Sequence, residues 1–143
     1  MYEIAIASDH GGFELKEEIK QHLTQKGVSY IDLGTNSTES CDYPIYAKKV
    51  SQTIINKEAQ KGILVCGSGQ GMAMCANKFP EIRAVVCSDT FSAHASREHN
   101  DSNILCLGQR VVGKNLALDI VDSWLNAKYE GGRHQKRLDM FKI

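Results

Sequence analysis

The amino-acid sequence predicts a three-layer α/β sandwich in which helices cover both faces of a five-stranded parallel sheet. Two observations support this prediction. Short apolar segments alternate along the chain with longer amphipathic segments, a pattern typical of right-handed βαβ units. The apolar segments are nearly continuous, as expected for strands that are buried on both faces. The predicted architecture is Rossmann-like, and 143 residues suffice for a single domain over 1–143.

The first half of the chain contains two predicted strands and two predicted helices. Residues 3–7 (EIAIA) form the first strand, and a helix follows over 13–26, where apolar residues recur every three or four positions. The second strand is predicted at 28–34. The second helix is predicted over about 44–58, because Pro44 favours the first turn of a helix.

The second half of the chain continues this alternation. Strands are predicted at 62–67, 82–89 and 102–108, and helices at about 70–77, 90–100 and 113–127. A short tail helix is predicted after the pair Gly131–Gly132.

Charge and composition exclude several classes of partner. The chain has 17 basic and 17 acidic residues, so its balanced charge gives no reason to expect a nucleic-acid partner. No apolar run approaches the roughly 18 residues that a membrane helix needs. The N-terminus lacks a basic region and carries Asp9 and His10 where a signal peptide would still be apolar. We therefore expect a cytoplasmic protein with no membrane partner.

The cysteines argue against a disulfide framework and against a structural zinc site. Their number is odd, they are widely spaced, and no CxxC motif is present. They are Cys41, Cys66, Cys75, Cys87 and Cys106. Cys87 and Cys106 lie in predicted strands, where we expect buried, unreactive thiols.

Polar side chains follow the predicted strands, at the edge where ligands bind in parallel α/β sheets. Asp9 and His10 follow the first strand and could position hydroxyls, transfer protons or bind an anion. The alternative is a helix N-cap beside a surface histidine. Arg110 follows the fifth strand in the sequence GQR. This concentration of polar residues predicts where the site lies.

A glycine-rich loop follows the third strand and consists of Gly67, Ser68, Gly69, Gln70 and Gly71. Such a loop can turn backbone N–H groups toward a phosphate, a carboxylate or a developing oxyanion. A dinucleotide fingerprint and a cysteine phosphatase loop both fail at Met72, and the Gly-Lys-Ser/Thr of a P-loop is missing. The alternative is a tight turn whose glycines allow close packing.

Cys66 stands where the third strand meets this loop. An unperturbed thiol is a poor base at neutral pH, but a nearby helix N-terminus favours the thiolate. A thiolate could attack a carbon atom or remove a proton. The alternative is a small apolar residue at a buried strand end.

Two further groups of polar residues are candidates for the site. His99 and Asn100 end the fourth predicted helix, where His99 could exchange a proton with an oxygen or lie exposed in a capping loop. Arg133 and Arg137 share one face of the tail helix, which suits a dianionic phosphate. The alternative for this pair is a solvated basic end.

Seven segments together resemble the ribose-5-phosphate isomerase B group, which shares its fold with galactose-6-phosphate isomerase subunits. They are IASDHGGFELK, DLGT, DYP, CGSGQGMAMCANKFPEIRA, REHND, LGQRVVG and YEGGRHQKRL. The resemblance extends from residue 3 to about 138. It implies a homodimer, with a tetramer left open, that uses no metal or organic cofactor. Its active sites would combine residues of both chains at the interface, where the tail (about 128–143) is expected to pack.

The resemblance implies an isomerase that interconverts D-ribose 5-phosphate and D-ribulose 5-phosphate by proton transfer through an enediolate. This reaction belongs to the non-oxidative branch of the pentose phosphate pathway. Two alternatives remain open: an isomerase of a six-carbon phosphosugar, such as allose or galactose 6-phosphate, and a sugar-phosphate-binding domain without catalysis.

By the same resemblance, Cys66 is the general base that removes the proton from C2 of the open-chain sugar. Some members of the group lack this cysteine and use a glutamate at the position of Cys75, so this chain resembles the cysteine-based type. Residues 67–71 would hold the enediolate oxygens, Asp9 the substrate hydroxyls and Asn100 the sugar. His99 would open the furanose ring. The implied phosphate ligands are His10, Arg133 and Arg137, with Arg110 as a further contact.

Overall fold

The computed structural model describes residues 1–143 and contains one five-stranded sheet in which all strands are parallel. The strands are β1 (Tyr2–Ser8), β2 (Tyr30–Asp32), β3 (Ala59–Cys66), β4 (Ala84–Val86) and β5 (Ile104–Gly108). They lie in the order β2-β1-β3-β5-β4. The predicted α/β architecture with a five-stranded parallel sheet is therefore confirmed.

Six helices and two 3-10 turns connect and follow the strands. The helices are α1 (Phe13–Gln25), α2 (Tyr43–Ile55), α3 (Gln70–Ala76), α4 (Thr90–Glu98), α5 (Lys114–Asn126) and α6 (Arg133–Leu138). The 3-10 turns cover His10–Gly12 and Asp139–Phe141. None of these helices has the length and apolar character required to cross a membrane.

The core consists of two clusters, one on each face of the sheet. Alternate strand residues point to opposite faces, so Ile4 and Ile6 pack with α1, α4 and α5, whereas Ala5 and Ala7 pack with α2 and α3. The largest fully buried side chain is Trp124 of α5. Its indole N–H donates a 2.9 Å hydrogen bond to the Ser102 hydroxyl, so the polar atom of this ring is satisfied inside the core.

The strand lengths differ from the sequence-based expectation in a consistent way. β2 and β4 are each only three residues long, where seven and eight were predicted, because each lies at an edge and pairs with one neighbour. The central strand β3 begins earlier than predicted, at Ala59, because it pairs on both sides and Tyr2 of β1 extends the ladder. Apolar character alone does not report how many neighbours a strand has.

The 3-10 turn after β1 was not predicted, and it places the end of β1 against β3. The turn passes so close to β3 that a Cβ on Gly12 would lie 2.3 Å from the carbonyl oxygen of Val65. Only glycine allows this approach. The Asp9 N–H also donates to that carbonyl oxygen at 3.3 Å, so the residues after β1 are held beside the last residues of β3.

A buried ion pair ties α1 to the end of β2. The Lys16 side chain is fully buried, and its ammonium donates to both carboxylate oxygens of Asp32, at 2.7 and 2.8 Å, and to the Thr35 carbonyl at 2.6 Å. Burial by itself would raise the pKa of the Asp32 carboxyl. Hydrogen bonds from Lys16, Lys20 and the Gly34 N–H outweigh burial and lower that pKa below its ordinary value of 3.8.

Replacing Lys16 with methionine is expected to lower the free energy of unfolding by about 3 kcal/mol, because it leaves a half-buried carboxylate with one fewer cation. Urea unfolding at pH 7 measures this change. Lys20→Met is the matched control, since Lys20 contacts the same carboxylate from a more exposed position. It should cost about 1 kcal/mol or less.

The difference between the wild type and Lys16→Met should depend on pH. The folded-state pKa of Asp32 is lowered, so the pair contributes its full stability above the unfolded pKa of about 3.9 and loses it as pH falls through the folded value. The difference in unfolding free energy should therefore shrink below about pH 4. Equal losses for both lysine variants at pH 7 would contradict the role given to Lys16.

Candidate active site

A cavity of about 420 Å³ opens at the carboxyl edge of the sheet, beyond the ends of β1, β3 and β5. Its lining residues are Asp9, Tyr43, Cys66, Gly67, Ser68, Gly71, Arg110 and Val111. Six of these eight residues were candidates from the sequence. In a parallel α/β sheet this is the edge where ligands bind, and the strand order places β1 and β3 side by side there.

Cys66 is the last residue of β3 and lies almost fully buried at the cavity wall, with 6% of its surface exposed. The backbone N–H of Gly69 donates to its sulfur atom, with N and Sγ 3.1 Å apart. A donor aimed at sulfur pairs with the negative charge of a thiolate. The thiol thus packs in the core on the α2–α3 face and also lines the cavity. The two interpretations of Cys66, a functional thiol and a buried apolar residue, are therefore compatible.

The loop after Cys66 folds back on itself through a left-handed residue. Gly69 has φ +83°, a conformation that residues with a Cβ rarely adopt, and it turns its N–H toward the Cys66 sulfur. The Gln70 N–H donates to the Ser68 hydroxyl at 3.3 Å. The N–H groups of Ser68 and Gly71, two residues that line the cavity, donate to no group of the chain. Unpaired N–H groups beside a thiol form a pocket suited to an anion.

Asp9 follows β1 directly and is buried, with 7% of its surface exposed. One carboxylate oxygen, Oδ1, accepts the Gly12 N–H at 3.1 Å and caps the 3-10 turn. The other oxygen, Oδ2, has no hydrogen-bond partner in the chain, and the residue lines the cavity. Asp9 is therefore an N-cap, which was one of the two interpretations of the sequence, and its carboxylate also lies at the candidate site.

Two basic side chains lie beside the cavity. The Arg110 side chain lines it and passes along Gly67, and the backbone N–H of Arg110 donates to the Gly67 carbonyl at 3.0 Å. His10 stands in the 3-10 turn next to Asp9, where its Nδ1 accepts the Cys41 N–H at 3.2 Å. Because Nδ1 is an acceptor, the neutral ring carries its proton on Nε2 and presents a donor.

Seven predicted residues do not line this cavity in the single chain: two of them, His10 and Gly69, lie beside it, and the other five lie outside it. Gln70 is exposed at the start of α3 and does not line the cavity. His99 and Asn100 follow α4, and Arg133 and Arg137 lie on α6, which contains no buried residue. The end of α4 meets α6 there, because the His99 ring stacks on the ring of His134, a neighbour of Arg133, with centroids 4.5 Å apart.

Sequence reasoning missed two lining residues, Tyr43 and Val111. Tyr43 begins α2, and its ring packs against the backbone at Gly71. The signal for it was the segment DYP, whose proline indicated only the start of a helix. Val111 is exposed beside Arg110, and nothing in its local pattern distinguishes it from other surface valines.

The remaining cysteines are separate from the cavity. Cys87 and Cys106 are buried, as predicted, and burial raises the pKa of the Cys87 thiol to about 11 and that of Cys106 well above its ordinary value. Cys75 is half-buried on α3, with its sulfur 3.9 Å from the Pro44 carbonyl oxygen.

The fold and the cavity together define a class, an α/β protein with a thiol beside a glycine-rich loop of unpaired N–H groups at the carboxyl edge of its sheet. Residues 4–141 match the model of a protein family described as "Ribose/Galactose Isomerase". The chain belongs to this ribose/galactose isomerase family.

Individual relatives agree with this assignment. The chain is 55% identical to ribose-5-phosphate isomerase B of Escherichia coli (strain K12) over 139 residues, which cover 97% of this chain and 93% of that protein. Its structure is similar to that of Clostridium thermocellum ribose-5-phosphate isomerase B, with TM-score 0.95, 51% identity and coverage of 96% and 93% of the two chains. The Mycoplasma genitalium ribose-5-phosphate isomerase B, solved with bound ribulose-5-phosphate, has TM-score 0.92 and 40% identity, with coverage of 96% and 92%.

Iodoacetamide is expected to alkylate Cys66 before Cys87 and Cys106, because the thiolate is the reactive form and both buried thiols have a raised pKa. Peptide mass spectrometry after short exposure of the folded protein measures the order. Unfolding in urea should abolish the difference. Labelling of Cys87 or Cys106 as fast as Cys66 in the folded protein would contradict this account.

Proposed function

We propose that this chain interconverts D-ribose 5-phosphate and D-ribulose 5-phosphate, with Cys66 as the general base. The observation that carries the proposal is the position of the Cys66 sulfur, in the wall of a cavity beside a loop with unpaired N–H groups. Aldose–ketose isomerisation by proton transfer needs these two elements, a base next to C2–H and donors for the oxygen that becomes negative.

In the forward direction, the Cys66 thiolate takes the proton from C2 of the open-chain aldose. The electrons of the C2–H bond form the C1=C2 double bond of an enediolate, and the aldehyde oxygen O1 becomes negative. A proton moves from O2 to O1, and the Cys66 thiol then returns its proton to C1, which leaves a ketone at C2. The thiolate is regenerated, and no electrons leave or enter the substrate.

The loop would stabilise the charge that appears on O1 during this reaction. The N–H groups of Ser68 and Gly71 are free to donate, and the Gly69 N–H already pairs with the base. Donors held by the backbone need no reorganisation as the charge develops, and the loss of one such donor costs about 100-fold in rate. The free Oδ2 of Asp9 is placed on the same cavity wall, where it could carry the proton between O2 and O1.

The phosphate requires more positive charge than the cavity of one chain contains. Arg110 is the only arginine or lysine that lines it. In this proposal Arg133, Arg137, His99 and Asn100 reach the cavity from a second copy of the chain, so that a homodimer has two composite sites. The exposure of α6 and of the apolar tail residues Met140 and Phe141 supports this arrangement, because a tail that packs at an interface would bury them.

A six-carbon phosphosugar is the second candidate substrate, because the family description names galactose as well as ribose. Assays with ribose 5-phosphate, allose 6-phosphate and galactose 6-phosphate under one set of conditions would rank the three by kcat/KM. Ribose 5-phosphate should give the highest kcat/KM. If none of the three sugars is turned over, the remaining hypothesis is a sugar-phosphate-binding domain without catalysis. A cytoplasmic location and a homodimer stay predictions, and the sequence does not distinguish a dimer from a tetramer.

Replacing Cys66 with alanine should lower kcat for ribose 5-phosphate by at least about 100-fold with little change in KM, because the base acts in the transition state and not in binding. Cys75→Ala is the matched control, since that thiol lies on α3 outside the cavity, and it should keep most of its activity. Circular dichroism and size-exclusion chromatography would verify that both variants fold. Turnover close to that of the wild type in Cys66→Ala would contradict the assignment of Cys66 as the general base.

Mixing two impaired variants tests the composite site. One variant carries Cys66→Ala, and the other carries Arg133→Ala and Arg137→Ala. After unfolding and refolding together, half of the dimers contain one chain of each kind, and one of their two sites regains all wild-type residues. Activity should rise to about a quarter of the wild-type level. If each site drew on one chain only, the mixture would be no more active than the average of its parts.

A further inference from the structure

The side chains of His99, Glu130 and His134 form a cluster outside the lining of the Cys66 cavity. The Glu130 Oε1 atom lies 3.5 Å from the Nε2 atom of His99 and 3.7 Å from that of His134. Charge-assisted hydrogen bonds between such atoms are shorter, about 2.7–2.9 Å. The carboxylate therefore stands between two imidazoles without a close hydrogen bond to either.

The spacing of these three atoms is close to that of ligands around one metal ion. Zinc at about 2.1 Å from each ligand of a tetrahedron holds neighbouring ligand atoms about 3.4 Å apart. Both distances from Glu130 are near this value, and all three atoms lie within 4.8 Å of one another. The stacked rings must rotate apart to point both Nε2 atoms at an ion, and the His99 side chain, 40% exposed, has room to do so.

Backbone hydrogen bonds hold the three residues in place from separate segments. The Glu130 N–H donates to the Glu98 carbonyl at 3.0 Å, which fastens the segment before α6 to the end of α4. The His99 N–H donates to Ala95 at 2.8 Å, and the His134 N–H to Gly131 at 3.0 Å. The backbone of each ligand residue is therefore already fixed, and only side-chain rotation is needed to bind an ion, which reduces the entropy lost on binding.

The charge of the cluster is compatible with a dication. Zinc binds neutral imidazole, and Arg133 and Arg137 lie on the same helix as His134. The two arginines oppose a dication, whereas the carboxylates of Glu130 and Glu98 favour it. Imidazole with carboxylate is a ligand set that suits zinc, and two histidines with one glutamate leave a fourth position for water.

We propose that His99, Glu130 and His134 bind a zinc ion, with water as the fourth ligand, and that the bound ion inhibits the enzyme. The inhibition rests on the proposed function and on the role that the family resemblance implies for His99, the opening of the furanose ring. The ion would occupy the Nε2 atom that exchanges a proton with the sugar. It is an inhibitor and not a cofactor, because the proposed proton transfer requires no metal.

Cobalt(II) titration of the metal-free protein tests the site without any assay of activity. One equivalent should produce the visible absorption of a four-coordinate ion, and equimolar zinc should remove it. A strong near-ultraviolet thiolate-to-cobalt band would instead assign the ion to a cysteine and overturn the proposal. The titration is run in parallel on the Cys66→Ser variant, whose spectrum should equal that of the wild type.

Three variants locate the ion. Glu130→Gln and His134→Gln should each weaken cobalt binding about tenfold or more, because each removes a ligand. His94→Gln is the matched control: His94 also lies on α4 and pairs with a glutamate, Glu98, at 2.8 Å, but it is not part of the cluster. It should bind cobalt like the wild type. Unchanged binding in His134→Gln, or no absorption change in the wild type, would refute the site.

Activity in the presence and absence of zinc separates this inference from the proposed function. The ratio of turnover with EDTA to turnover with zinc should be large for the wild type and for His94→Gln, and close to one for His134→Gln. Cobalt binding without turnover on any phosphosugar in EDTA would support the metal site and refute the isomerase. Turnover that zinc does not affect, in a protein that binds cobalt at the cluster, would refute the inhibition.

Discussion

The pairing of β1 with β3 is the contact on which the candidate site depends. In this register Ser8 lies beside Val65, so the two strands end at the same level and deliver Asp9 and Cys66 to one point of the sheet edge. The close approach at Gly12 then holds the turn after β1 against β3. A shift of β3 by one residue would turn Cys66 to the other face of the sheet and away from Asp9, because side chains alternate along a strand.

The geometry divides the chemistry of the site between two regions of the chain. The cavity holds the thiol, the free N–H groups and one carboxylate oxygen, which are groups that move a proton and stabilise a negative oxygen. Most of the positive charge that a phosphate needs lies elsewhere, on the exposed helix α6. One chain therefore contains the components of a phosphosugar site without joining them. In the proposed homodimer, a second copy would join them and would also cover the apolar end of the tail.

The cluster around Glu130 follows from the same division. His99 is attached to α4 and His134 to α6, and the segment between α5 and α6 brings Glu130 between them. His99 and His134 do not line the cavity of their own chain. In the proposed function His99 reaches a substrate bound by a partner chain, and the same exposure lets it bind a metal ion. An accessible imidazole beside a second imidazole and a carboxylate is a zinc ligand set by chemistry alone, whatever reaction it serves.

The sequence predicts the number of strands and helices and their order along the chain, because apolar runs and amphipathic periods are local patterns. It also identified Cys66, the glycine loop, Asp9 and Arg110, since residues after parallel strands meet at one edge. It did not reveal the order of the strands within the sheet, the short edge strands or the contact of Tyr43 with Gly71, because each depends on which segments pack against one another. Two placements are visible only in the tertiary structure: His99 stacks on His134, and Arg133 and Arg137 lie outside the Cys66 cavity. Those placements depend on how α4 and α6 pack, and His99 and His134, 35 positions apart, carry no local signal of their contact.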